Sequence, residues 1–88
     1  MRIDLRTRAE AAACPYSADV VLGIPKPPLG PQQIATMSAK LLRTAAKTPK
    51  GTRIEVFCAK GKRAALAAAI LQQAGYNVVN LGAARCHK

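Results

Sequence analysis

The sequence predicts a small α/β domain: a mostly parallel sheet with helices on both faces. Three observations carry that reading. Four short runs of β-branched and apolar residues alternate with helix-compatible segments, and such alternation implies right-handed crossovers between parallel strands. Half the residues are hydrophobic but only 3% are aromatic, so the core is built from Ala, Val, Ile and Leu, which suits close helix-on-sheet packing. The chain has 88 residues, a single domain over 1–88. Area scaling gives it a folded surface of roughly 5,000 Å², with about 63% of the unfolded surface buried: a core, but not a generous one.

Ile3-Asp4-Leu5-Arg6 alternates apolar and polar side chains and reads as a short opening strand. Residues 8–13 suit a brief helix that Cys14-Pro15 stops. Asp19-Val20-Val21-Leu22-Gly23-Ile24 is β-branched and apolar, the pattern of a second strand buried on both faces. Pro25-Lys26-Pro27-Pro28-Leu29-Gly30-Pro31 follows as a stiff loop, with Pro31 suited to the first position of a helix. Its PxxP spacing also fits a polyproline ligand, although a rigid connection is the better reading in so small a domain. Over residues 32–47 the apolar Ile34, Met37, Leu41, Leu42 and Ala45 recur at helical spacing, with Lys40, Arg43 and Lys47 among the polar positions. Thr48-Pro49-Lys50-Gly51 ends that helix. Arg53-Ile54-Glu55-Val56-Phe57-Cys58 reads as the third strand. Residues 62–75 form an Ala/Leu helix closed by Gly75, and Asn77-Val78-Val79-Asn80-Leu81 is the fourth strand.

Fourteen Lys and Arg against four Asp and Glu give a net charge of +10, which favours an anionic substrate, nucleic acid or an anionic partner. Nucleic acid is the weaker choice, because Tyr16, Phe57 and Tyr76 are too few for a stacking platform. The longest apolar run, residues 64–71, is too short to span a bilayer, and the N-terminus lacks a signal-peptide core. Cys14, Cys58 and Cys86 are odd in number and form no CxxC pair. That argues against a disulfide framework and sets a reducing, cytoplasmic location as the expectation. Cys14, Cys58, Cys86 and His87 match no structural zinc spacing, so neither metal nor cofactor is expected. Cys86 reads as a free tail thiol, placed to serve as a resolving partner for a persulfide, and His87 as solvent-exposed.

Ligands of parallel sheets gather beyond the carboxyl ends of the strands. Cys58-Ala59-Lys60-Gly61-Lys62-Arg63 lies there, with the nucleophile at a strand end and a helix opening directly after it. Backbone amides of a tight turn and a helix N-terminus make an anion cradle, and Gly61 lets that turn curl. Lys60, Lys62 and Arg63 surround the sulfur with positive charge, which favours the nucleophilic thiolate. A buried structural cysteine beside a solvated basic turn is the plainer alternative.

This block, from Val56-Phe57-Cys58 through Arg63-Ala64-Ala65-Leu66-Ala67, resembles the hallmark of the rhodanese-like sulfurtransferase domains. The continuation Leu71-Gln72-Gln73-Ala74-Gly75-Tyr76-Asn77-Val78-Val79 is similar to that family's helix–Gly–aromatic–strand sequence. Ile3-Asp4-Leu5-Arg6 with Glu10 resembles its early Asp-x-Arg…Glu segment, and Ile24-Pro25 the end of its next strand. The departures are a Tyr16-Ser17-Ala18-Asp19-Val20-Val21 stretch in place of Gly-His-Ile-Pro-Gly-Ala, and missing elements before Asp4 and after Gly82. The expected architecture is thus rhodanese-like with its terminal elements truncated, and a homodimer or another chain is expected to cover the sheet left open.

The resemblance implies that Cys58 takes sulfur from thiosulfate, or a similar small anionic donor, as a persulfide. A small-molecule or protein thiol, or cyanide, would then accept it. Ala59, Lys60, Gly61, Lys62 and Arg63 would bind the donor and the persulfide, with Arg63 forking onto donor oxygens. Asp4, Arg6 and Glu10 are expected to form one structural ion-pair group near the site. Two alternatives use the same residues. Cysteine phosphatases resemble this strand–loop–helix unit but hold one more residue between Cys and Arg, and a basic anion- or nucleic-acid-binding module would need no catalysis.

Overall fold

Alternation along the strands decides which side chains enter the core. Ile3, Ile54, Val56 and Cys58 are fully buried on one face of the sheet, while Arg2 and Glu55 point to the other and join through Arg2 Nε and Glu55 Oε1 at 3.1 Å. The computed structural model describes residues 1–84. Its elements are β1 (Arg2–Asp4), α1 (Arg8–Ala13), β2 (Val20–Val21), α2 (Pro31–Ala46), β3 (Arg53–Cys58), α3 (Lys62–Gln73) and β4 (Asn77–Ala83). The four strands form one sheet in the order β2-β1-β3-β4, and every neighbouring pair is parallel. The expected α/β class is therefore observed.

Helix ends follow local chemistry. Thr7 and Glu10 close a capping box at α1: Glu10 N–H donates to Thr7 Oγ1 at 3.1 Å and Thr7 N–H donates to Glu10 Oε1 at 2.9 Å. Pro31 opens α2, which buries Met37, Leu41 and Ala45. α3 packs on β3 and β4 and against α2, and its buried Ala64, Ala67 and Ala68 let backbone approach backbone. Gly75 at φ +92° ends α3, with Gly75 N–H donating to Gln72 O and Tyr76 N–H to Leu71 O. α1 buries no residue.

Three strand expectations need correction. The opening strand is Arg2–Asp4, one residue earlier than expected and ending before Leu5 and Arg6. The second strand is only Val20–Val21, half-buried at the sheet's edge rather than buried on both faces. Its one neighbour is the short β1, and Gly23 takes φ +71° before Ile24 N–H returns to Leu5 O at 3.1 Å. β4 instead runs past Leu81 to Ala83: a bulge in β4 at Leu81, opposite Val56 and Phe57, lets Phe57 pair with Gly82 and Cys58 with Ala83. Among the described residues no helix is long and apolar enough to cross a membrane.

Candidate active site

Cys58 is the last residue of β3 and is 1% exposed. The strand ends there because the chain turns at once into α3, and Gly61, the helix N-cap, takes φ +98° to make that turn. Two amides then converge on the sulfur: Gly61 N–H donates to Sγ at 3.0 Å and Ala64 N–H at 3.4 Å. The helix N-terminus adds its positive end to the same point.

A cavity of about 370 Å³ opens over Cys58 and Ala59, walled by Glu10, Lys26, Pro27, Lys60, Lys62 and Arg63. Lys26, Lys60 and Lys62 are exposed at their positions, and Arg63 is buried.

Both terminal nitrogens of Arg63 are engaged within the protein. Nη1 and Nη2 donate to Glu10 Oε1 and Oε2 at 2.8 and 2.9 Å, and Nη1 also donates to Ile24 O at 2.9 Å. The expected fork onto donor oxygens is therefore corrected, since the fork is filled by Glu10. Arg63 holds Glu10 well below the ordinary carboxylate range, to about 2, against burial that pushes it up; Thr7 adds to the lowering. Arg63 is in turn held more firmly protonated, first by its hydrogen bond to Glu10 and in smaller part by the Cys58 sulfur.

The expected Asp4–Arg6–Glu10 group is split. Arg6 Nε and Nη2 donate to the Asp4 carboxylate at 2.8–3.2 Å, and Nη1 donates to Cys14 O at 2.7 Å. The Arg6 guanidinium lies 5.4 Å from the centre of the Phe57 ring and 5.7 Å from that of Tyr16, on the sheet face away from Ile3 and Val56. Asp4 and Arg6 are structural; Glu10 belongs to the cavity.

The residues the sequence reading passed over are Lys26 and Pro27. Their signal was present: they follow β2 at its carboxyl end, where sites of parallel sheets collect, and Pro25 and Pro27 bracket the lysine.

Cys58 is the free cysteine among the described residues, whereas Cys14 is disulfide-bonded. An odd cysteine count excludes complete pairing, not a single bridge, so the inference from that count to an unbridged chain fails at Cys14. The expectations for Cys86 and His87 lie outside the described residues. Among those residues no three His, Cys, Asp or Glu side chains cluster in a metal-binding arrangement. No family model matches the chain, and no curated protein or solved structure matches it either.

Proposed function

We propose that the chain is a sulfurtransferase of rhodanese-like kind that carries sulfur as a Cys58 persulfide. The observation behind this reading is a single sulfur at a strand end, held by two amide donors in a cavity rimmed with lysines. In the first half-reaction the Cys58 thiolate attacks the outer sulfur of thiosulfate. An S–S bond forms at Sγ, the sulfur–sulfur bond of thiosulfate breaks, and sulfite leaves with its electron pair. In the second, a thiolate or cyanide attacks the terminal sulfur and Cys58 leaves as thiolate, so no general base is required. The amides of Gly61 and Ala64 would hold the negative charge that persists on sulfur throughout.

The same geometry disfavours a cysteine phosphatase. Only four residues separate Cys58 from Arg63, and the arginine that would clasp a phosphate is occupied by Glu10. A cytoplasmic setting, where acceptor thiols stay reduced, suits the reaction, though the Cys14 disulfide pulls against it. The test is thiocyanate formation from thiosulfate and cyanide, with hydrolysis of phenyl phosphate measured alongside. Thiocyanate without phosphate release supports the reading; phosphate release without thiocyanate overturns it.

A further inference from the structure

Among the described residues, three free cations line the Cys58 cavity once Arg63 is set aside: Lys26, Lys60 and Lys62. Lys60 and Lys62 belong to the turn that carries the nucleophile. Lys26 comes from the segment between β2 and α2, and the way it is held there is informative. Arg63 Nη1 donates to Ile24 O, and Ile24 N–H donates to Leu5 O at 3.1 Å, so the chain is pinned two residues before Lys26. Pro25 and Pro27 then fix φ on both sides of the lysine. The ion pair that neutralises Glu10 is thereby also the clamp that delivers Lys26 to the cavity mouth.

We propose that Lys26 is the specificity-determining cation of this site, recognising the oxyanion end of a small doubly charged ligand whose other end meets Cys58. The identity of that ligand as a sulfur donor rests on the sulfurtransferase reading; the recognition of negative charge does not. Lys26 acts on binding, because the amides of Gly61 and Ala64 already serve the sulfur. Its removal therefore raises the half-saturating donor concentration and leaves the maximal rate nearly unchanged. A screened, exposed charge contact of this kind is worth about two- to fivefold.

Two measurements on the full chain separate the ideas. The first is alkylation of Cys58 by iodoacetate and by neutral iodoacetamide, followed by peptide mass mapping, for the wild type, Lys26→Gln and Lys26→Arg. Lys26→Gln is expected to slow iodoacetate about two- to fivefold relative to iodoacetamide, Lys26→Arg to restore the ratio, and 0.5 M salt to erase the difference. Equal ratios in all three proteins overturn the proposal. The second is thiosulfate saturation kinetics of the same variants. A raised KM at unchanged kcat for Lys26→Gln supports the proposal, and a lowered kcat at unchanged KM overturns it. Should the alkylation ratio respond to Lys26 while thiosulfate leaves no sulfur on the protein, the lysine's role stands and the sulfurtransferase reading falls.

Discussion

Cys58 and Arg63 lie within one turn of each other, yet the structure gives them opposite kinds of work. Cys58 receives hydrogen bonds and offers its sulfur to a cavity; Arg63 donates all its bonds to the protein. Replacing Cys58 with Ser should abolish sulfur transfer and leave the far-UV circular dichroism and melting temperature close to wild type, because the hydroxyl can accept the same amides. Replacing Arg63 with Ala should do something different. Glu10 is left as an unpaired carboxylate in a mostly buried position, and breaking such a pair costs on the order of 3–5 kcal/mol, measurable by urea unfolding. Arg63→Ala with unchanged stability would show that the Glu10 pair carries no structural weight. The contrast also marks the limit of what the loop sequence discloses. Cys58 and Gly61 were legible because their roles are set by neighbours one to six positions away. The carboxylate that pairs with Arg63, Glu10, is 53 residues distant, and only the fold brings it there.

At the scale of elements, the turn between β3 and α3 depends on Gly61. Its φ of +98° is a conformation that costs an L side chain about 1–2 kcal/mol, while a Cβ there would meet nothing within 4 Å. Gly61→Ala should therefore lose that much stability through backbone strain alone, and lose activity too if the turn relaxes and withdraws the amide that lies 3.0 Å from Sγ. Denaturation and kinetics on one preparation check both; an alanine variant of full stability would mean that the turn is not strained. Most elements were legible from sequence: α1 spans Arg8–Ala13 and β3 spans Arg53–Cys58 as read, and the long α2 and α3 shift only at their ends. β2 was not, because Val20, Val21 and Leu22 look the same in a buried strand as at an edge with one short neighbour. Nor was the reach of β4, since a bulge that pairs Phe57 with Gly82 leaves no mark in local apolar pattern.

The whole molecule has a Cα radius of gyration of 12.1 Å, matching about 12 Å expected for its length, yet exposes 5490 Å² against roughly 5,000 Å² from scaling. Part of the excess is apolar, with Tyr16 44% and Leu81 42% exposed. Self-association, the sequence-based expectation, predicts a melting temperature that rises with protein concentration; a constant value from 1 to 100 times a micromolar sample speaks for a monomer. Acid stability has a more specific source. Glu10 has a folded pKa of about 2, below its ordinary value of 4.5, so the stability it contributes is fully present above pH 4.5 and is lost as pH falls through 2. The wild type should lose about 2–3 kcal/mol across that window, and Glu10→Gln should flatten this part of the profile. An identical slope in both proteins would assign the acid loss elsewhere. The most direct test of the account is simpler. Incubated with thiosulfate and freed of small molecules, the protein should gain the mass of one sulfur, mapped to the peptide containing Cys58 and removed by cyanide. A protein of unchanged mass, or one that gains sulfur equally in the Cys58→Ser variant, would contradict it.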